Sequence, residues 1–466
     1  MKISVVIPCH NSETHLARAV SSVLEQGVAE TELIVVDDAS SDGTVSLSER
    51  LGTRIPSFSL VRLERHSGPG AARNAGLGRA RGQYVAFLDS DDAYGGGVFR
   101  RVLGDLDRFP WADGVEFAVR LVDAHREVHP QQLRMIANTL PSNIIVRRET
   151  AKSVGGFPTD AEFRSARVGE DAAYRVALRR WATVGATQEV HLNYTVRRGS
   201  NFDRFMDGTR VEDDRIEFLP DEARARIEAA TRRHVQRVDA AMLASIGNPE
   251  LHAISCDIAG RRFTFEVPAR PETIAQASAT LRQSEYPPLP FGGPVETVLD
   301  VDAEGGASAV TFAASFPNAR VVALEPTRAA FVLLRRNALA HPNLETFRTS
   351  LCNATARLEI THGDTGAREE VLASHPDLLL PSLRLDRIDI LRLSNRGLEV
   401  PALIALGARL AAIKAIYIRT RKDTDRRVAD GILAPTHKLF WGRSTRPNHG
   451  EFIYVQRALL GPDGTG

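Results

Sequence analysis

Asp89 and Asp91 carry the most specific chemistry in this 466-residue chain. They close the run YVAFLDSDD with Ser90 between them, so one buried-type strand brings two carboxylates to its tip. Hard divalent cations take oxygen ligands, and Mg²⁺ is commonly held by one or two carboxylates with substrate phosphates completing its shell. A cation bound there would clamp a diphosphate and neutralise the charge it gathers as it leaves. Taken alone, the same pattern also describes an acidic turn at a strand end. Its company adds weight. ELIVVDDASSDGT ends another apolar run in Asp37 and Asp38, where a carboxylate could accept hydrogen bonds from a base or ribose. Pro8, Cys9, His10 and Asn11 close a further run. HSGPGAARNAGLGRARG supplies small residues that permit close backbone approach, with Arg73 near the start of a helix. Glu170 and Asp171 follow Gly169 and open a helix over 172–180. A carboxylate there could take the proton of an acceptor hydroxyl, or simply complement the helix dipole as an acidic first turn.

These residues need elements that bring them to one edge. Lys2–Pro8 reads as a strand, and Ser12 caps a helix through Gln26 with Leu16, Ala19, Val20 and Val23 at helical spacing. Leu33–Val36 is a strand, a helix begins near Thr44, Phe58–Leu63 is a strand, Ala71–Arg79 a helix, and Tyr84–Leu88 a strand. Strands alternating with helices imply a parallel sheet covered on both faces. Ligands of such sheets bind beyond the carboxyl ends of the strands, where Asp37, Asp38, Asp89 and Asp91 fall. From about Asp203 the chain becomes densely charged, with apolar residues at helical spacing, and reads as two helices interrupted near Pro220. A second alternating region follows a β-rich lead-in (RRFTFEVPA). Its strands are Val298–Val301 and Arg320–Leu324, and its helices Ser308–Phe316 and Arg328–Ala340. The fold class is α/β: two Rossmann-like α/β domains, residues 1–205 and 247–466, joined by a charged helical connector over 206–246. No repeat of 20–50 residues is visible.

Composition limits the function classes. Lys plus Arg number 59 and Asp plus Glu 58, which argues against a general nucleic-acid binder and leaves a local basic patch open. Cys9, Cys256 and Cys352 are too widely spaced for a disulfide framework or a cysteine-rich zinc site, and point to a reducing, cytoplasmic setting. His252, His341 and His437 lack metal-ligand spacing. The first apolar run stops at Pro8, short of a signal-peptide core. The stretch Leu403–Ile418 is broken by Arg409 and Lys414, so no transmembrane span is expected; peripheral membrane contact stays open.

VVIPCHNSETHLARAVSSVLEQ, ELIVVDDASSDGT, SGPGAARNAGLGRARGQYVAFLDSDD, IIVRRETAKSVGGF and GEDAAYRVAL, in this order, resemble a family 2 glycosyltransferase of the GT-A fold over about residues 1–200. That resemblance implies a nucleotide-diphosphate sugar donor, an Mg²⁺ or Mn²⁺ ion, and inversion at the anomeric carbon. It implies a glycan, lipid-linked or small-molecule acceptor. By position it makes Pro8, His10, Asn11, Glu13 and Asp38 nucleotide contacts and Arg73 a base or ribose neighbour. Asp89, Ser90 and Asp91 become the metal and sugar-diphosphate contacts. Asp171, with Glu170 second, becomes the base. Gly155-Gly156-Phe157 matches an acceptor-side turn. Arg197 and Arg198 lie where relatives carry a mobile basic loop, and Arg198 is taken to cover the diphosphate. His10 and Ala39 depart from the Tyr and Gly usual at their places. Arg180-Trp181 resembles a signature of processive synthases, but Ala177 stands where its Gln belongs, so transfer of a single sugar is expected.

TVLDVDAEGGASAV with VVALEPTRAAFVLLRRNALAHPNLE resembles FkbM-type methyltransferases, which use S-adenosylmethionine, over about residues 250–460. Glu325 then stands where a carboxylate binds the ribose hydroxyls, and Glu285-Tyr286 resembles a segment preceding that fold. The pattern is damaged. Asp302 replaces the first loop glycine, Ser394 the family's Asp and Arg396 its Glu, while Gly397 and Glu399 are kept. The readings to be separated are a glycosyltransferase with a degenerate second domain, a bifunctional glycosyl- and methyltransferase, and a non-enzymatic binding or scaffolding protein.

Overall fold

The computed structural model describes residues 1–166, 169–213, 215–219, 221–281, 288–361, 368–394, 397–420, 422–446 and 449–460. The chain divides into two compact units, Met1–Met242 and Leu243–Gly466.

In the first unit β1 (Ile3–Cys9), α1 (Leu16–Leu24), β2 (Thr31–Asp37), α2 (Thr44–Gly52), β3 (Phe58–Arg62), α3 (Pro69–Arg79) and β4 (Tyr84–Phe87) alternate as the sequence predicts. β1 runs parallel between β2 and β4, with Val6 level with Ile34 and Phe87, and β3 adds parallel to β2. Alternation of side chains across a strand splits β1 between two layers. Ile3, Val5 and Ile7 join Leu16, Ala19, Val20 and Val23 of α1 in one core. Val6 faces α3, where a Cβ at Gly76 would come 2.2 Å from Val6 Cγ1. Glycine at that position lets the helix lie close on the sheet and brings its first turn to the strand tips.

The chain continues through β5 (Ala93–Tyr94), α4 (Val98–Arg108), β6 (Gly114–Val122), α5 (Pro130–Thr139), β7 (Ile144–Arg147), α6 (Arg148–Ser153), α7 (Ala161–Ala166), α8 (Glu170–Trp181), β8 (Val184–Thr195) and α9 (Asn201–Asp207). The strand order is β3-β2-β1-β4-β7-β6-β8-β5. The sheet is parallel through β4 and mixed beyond it, since β7 runs antiparallel to both β4 and β6. Hydrophobic alternation fixes the faces of a strand but not its direction, so the sequence does not distinguish these arrangements. Residues 206–246, expected as a helical connector, form a hairpin of β9 (Thr209–Glu212) and β10 (Arg215–Phe218), then a single helix α10 (Glu222–Ala244). TRVE and RIEF pair strand to strand because each alternates; in the charged context they read as helix. α10 packs within the first unit: Ala230 joins Phe163 and Ala173, and Asp239 accepts from Arg180 Nε and Trp181 Nε1 at 2.7 and 2.9 Å. Pro220, Glu285, Tyr286 and Arg396 lie outside the described residues.

The second unit opens with a hairpin, β11 (Leu251–Ile258) and β12 (Arg261–Pro268), turned at Ala259 and Gly260, both at positive φ. Next come α11 (Pro271–Leu281), β13 (Thr297–Val301), α12 (Ala307–Ser315), β14 (Arg320–Leu324), α13 (Arg328–Ala338) and β15 (Leu344–Phe347). A small sheet of β16 (Ser350–Leu351), β17 (Ala356–Thr361) and β18 (Arg368–Ser374) is followed by α14 (Pro376–Ser382). The unit ends with β19 (Ile390–Leu393), α15 (Glu399–Leu406), β20 (Ala415–Thr420), α16 (Asp423–Leu433), β21 (His437–Arg446) and β22 (His449–Gln456). Its main sheet has the order β15-β14-β13-β19-β20-β22-β21. It is parallel except for β22, which runs antiparallel to β20 and β21.

Candidate active site

The carboxyl ends of β1, β2 and β4 meet at one edge of the first sheet. Two residues turn the chain there in left-handed conformations, Asn11 at φ 51° and Ala39 at φ 57°. Asn11 Oδ1 accepts from Ser41 N at 2.8 Å and the Asn11 amide donates to Ser40 Oγ at 2.9 Å, so the loops after β1 and β2 are sewn together. Glu13 Oε2 accepts from Gly43 N at 2.9 Å, at the start of α2. Pro8 is buried in β1. Asp38 is buried, and its oxygens accept from Ser67 N at 2.7 Å and Gly68 N at 2.8 Å, with His66 Nδ1 2.9 Å away. His10 stacks on His66 with ring centroids 4.0 Å apart, and its Nδ1 lies 2.8 Å from the Asp38 carbonyl. Of the expected nucleotide contacts, Asn11, Glu13 and Asp38 therefore hold loops, and the His10–His66 pair presents a ring surface beside them.

Asp89 and Asp91 sit past the end of β4. Ser90 Oγ is 2.8 Å from Ser12 Oγ, which ties this tip to the loop after β1. Arg73, on α3 and only 4% exposed, reaches Asp89 Oδ1 with Nη2 at 2.6 Å and Glu170 Oε1 with Nη1 at 3.2 Å. One guanidinium thus joins the tip of β4 to the first residue of α8. The two helix starts converge closely at Gly70. At Gly70 a Cβ would stand 3.1 Å from both Glu170 Cγ and the Pro158 carbonyl. Burial alone would lower the basicity of Arg73, but Asp89, Glu170 and Asp171 hold it raised. Asp171 accepts from Ala172 N at 2.6 Å. Desolvation, and then the Glu170 carboxylate beside it, push its carboxyl up to about 7, against the pull of Arg73. A carboxyl with that value is about half ionised at pH 7, and its ionised form is basic enough to take a proton.

Sequence reasoning names the basic pair at 197–198 and settles on Arg198; it misses Asp92, Arg18 and Thr195. Arg197 reaches the Asp91 carboxylate; both it and Arg198, the residue taken to cover the diphosphate, are exposed. Burial, then Asp89 beside it, raise Asp91 above the usual carboxylate range, while Arg197 opposes the shift. Asp92 is buried and accepts from Thr195 N at 2.9 Å. Desolvation and the neighbouring aspartates keep it well above the usual range. Arg18 donates to the Asp91 carbonyl and to Thr195 Oγ1. Thr195 ends β8, so the site includes that strand as well as β1, β2 and β4. The duplicated acids in DSDD and the arginine pair at 197–198 were the available signals, without a way to choose among them. Phe157, in the turn after Gly155-Gly156, is fixed by Asn74 through bonds of 2.7 and 2.8 Å.

Among the described residues no group of three or more His, Cys, Asp or Glu side chains is disposed to hold a metal. The donor set nevertheless suits a hard cation completed by diphosphate oxygens. It is all oxygen, and like-charge crowding of Asp91 by Asp89 is what a cation relieves.

In the second unit Glu325 is 0% exposed. Its Oε2 accepts from Glu304 N at 2.9 Å and its Oε1 from Thr327 N at 2.8 Å and Thr327 Oγ1 at 2.5 Å. The loop after β13 keeps positive φ at Asp302 (61°) and Glu304 (51°), the conformation glycine favours, but carries carboxylates there. Arg392, at the centre of β19, pairs with buried Asp300 at 2.8 Å. These residues do not fit S-adenosylmethionine: the carboxylate meant for its ribose is sealed beneath protein N–H and O–H donors, and Asp302 brings negative charge to where its carboxylate would lie. A cleft of about 320 Å³ nearby is lined by Gln276, Glu304, Thr327, Arg392, Arg419 and Glu451, among others.

Residues 4–121 match the family described as Glycosyl transferase family 2, and the first unit carries a domain of that family. Over 160 residues the chain is 36% identical to the succinoglycan biosynthesis protein ExoO of Rhizobium meliloti, covering 32% of this chain and 44% of that one. It is 42% identical over 92 residues to a putative teichuronic acid biosynthesis glycosyltransferase, TuaG, of Bacillus subtilis, covering 20% and 36%. It is 39% identical over 95 residues to the poly(ribitol-phosphate) beta-N-acetylglucosaminyltransferase TarS of Staphylococcus aureus, covering 20% and 16%. The chain thus spans less than half the length of these relatives. Among solved structures it is similar to S. aureus TarS 1-349 in complex with UDP-GlcNAc, with 23% identity and a TM-score of 0.39, covering 52% of this chain and 73% of that one. No described helix is long and apolar enough to cross a membrane.

Proposed function

We propose that the first unit is an inverting, metal-dependent glycosyltransferase that moves one sugar from a nucleotide-diphosphate donor to a hydroxyl acceptor in glycan or glycoconjugate synthesis. The observation that carries the reading is the meeting of the β4 tip and the start of α8 on Arg73, with Asp89 and Asp91 on one side and Asp171 on the other. The family match over residues 4–121 and the similarity to named glycosyltransferases support it. Asp89 and Asp91 would hold Mg²⁺ or Mn²⁺ together with the donor diphosphate; bound there, the ion neutralises charge on the leaving nucleotide. The His10–His66 pair offers a stacking surface for a base. Arg197, on the loop after β8, exchanges its Asp91 partner for the diphosphate and screens it from water. Asp171 accepts the proton of the acceptor hydroxyl as that oxygen attacks the anomeric carbon from the face opposite the diphosphate, which inverts the configuration.

The second unit is read as a methyltransferase-like fold without a working cofactor site. Its strand order and antiparallel β22 support the fold, and the closure of Glu325 supports the loss of chemistry. Purified protein should hydrolyse or transfer from one of a panel of nucleotide-sugars with Mn²⁺ present. Wild-type turnover in Asp91→Ala would sink the metal-site assignment, and the absence of turnover with every donor would sink the reading itself.

A further inference from the structure

We propose that Arg73 is a positioning residue that fixes the diphosphate side of the site against the acceptor side and commits Glu170 to structure, which leaves Asp171 alone as the proton acceptor. This rests on the glycosyl-transfer reading and departs from the role that sequence resemblance implies for Arg73, a contact to base or ribose.

The geometry assigns it. A ligand contact needs a guanidinium open to the cleft, but Arg73 is buried and caps two carboxylates from separate elements, Asp89 at 2.6 Å and Glu170 at 3.2 Å. Its third neighbour is the ring of Phe157, with the guanidinium carbon 5.1 Å from the centroid. The next residue on the helix, Asn74, both donates to and accepts from the Phe157 backbone. Phe157 in turn stacks on Tyr174 of α8 with centroids 4.2 Å apart. Adjacent residues of α3 thus grip the β4 tip, the turn at 157 and the start of α8, and a Cβ at Gly70 would press on Glu170 Cγ and the Pro158 carbonyl at 3.1 Å. Glu170 spends its carboxylate on this brace. Asp171 Oδ1 accepts from Ala172 N of its own helix. Breaking a buried ion pair by removing one partner leaves a stranded charge, so loss of Arg73 should disturb the relative placement of reacting groups. Small misplacements of that kind cost rate far more than binding.

The test is a split between turnover and binding in Arg73→Met, Arg73→Lys and Glu170→Gln. Turnover is measured with the nucleotide-sugar that supports wild-type activity, and binding by calorimetry with UDP and Mn²⁺. Arg73→Met should lower kcat about 30-fold or more while the Kd for UDP changes less than roughly threefold. Arg73→Lys should recover part of that rate. A rise in Kd of about tenfold or more with kcat nearly intact would make Arg73 a nucleotide contact and overturn the proposal. If Arg73→Met does not fold, Glu170→Gln decides. It should keep at least about a tenth of wild-type kcat, and the acid limb of its pH profile should move to lower pH, because the charge that raises Asp171 is gone. The groups that bear on that limb are Glu170, Arg73, Asp89 and, from β8, Tyr194. Loss of turnover in Glu170→Gln as complete as in Asp171→Asn would make Glu170 the base and overturn the proposal. Wild-type protein that turns over no donor would fail the underlying reading instead, before any variant is compared.

Discussion

In each unit a strand paired with the first strand of the main sheet leads into carboxylates, β4 beside β1 and β14 beside β13, and the two units satisfy them in opposite ways. Past β4, Asp89 and Asp91 are met by arginine side chains from α3 and from the loop after β8. Past β14, Glu325 is met by the Glu304 and Thr327 amides and the Thr327 hydroxyl within a closed turn. Side-chain partners can be exchanged for a ligand, because another cation or donor can take their place. Backbone N–H groups that fold a loop around a buried carboxylate cannot be given up without losing the loop, since each would then be buried and unsatisfied. Asp38 shows that the contrast is not simply one unit against the other. It too is held by backbone, at Ser67 and Gly68, and serves as a loop organiser.

Perturbing the acids on each side of this divide should give effects that differ in kind. The largest is expected at Asp171. Asp171→Asn should lower transfer by about a thousandfold, the scale of losing a general base. Its effect on stability should have the opposite sign. A carboxyl raised from 3.8 to about 7 by folding loses stability as pH climbs through that window, so at pH 8 the Asn variant should melt no lower than wild type. The same value sets the wild-type profile: turnover should rise with pH and level off above about 7. A flat profile from pH 5 to 8, recorded as kcat against pH, would separate Asp171 from the proton transfer.

Asp91→Ala should follow, with a loss of about a hundredfold that added Mn²⁺ does not restore. Arg197→Ala should cost less, since the exposed arginine only screens the diphosphate. In the second unit the expected effects are on stability. Glu325→Gln should leave sugar transfer unchanged yet lower the stability of that unit by about 1–3 kcal/mol, because a carboxylate oxygen holding amide N–H donors is replaced by an amide NH₂; denaturant unfolding reads this. The smallest effect is none: titration with S-adenosylmethionine should release no binding heat, and a measurable affinity would erase the contrast between the units.

Much of the site could be read from the chain. LDSDD at the end of an apolar run and GED before a helical pattern located Asp89, Asp91, Glu170 and Asp171, because local chemistry and a strand's endpoint are properties of short segments. Asp92, Arg18 and Thr195 were not legible, nor was which arginine of the 197–198 pair would meet Asp91. Their roles depend on β8 reaching the edge beyond β4, a pairing between residues about a hundred apart. The hairpin β9–β10 was misread for a related reason: in a charged segment, alternation over four residues does not outweigh apolar spacing that also suits a helix.

The residue types themselves determined that this protein has acids at strand tips, small residues at helix starts, and two α/β regions. Tertiary structure alone decided which acids remain exchangeable. Whether a carboxylate is met by an arginine from a distant helix or by the amides of its own turn depends on packing, and sequence spacing carries no record of the partner that fills its lone pairs.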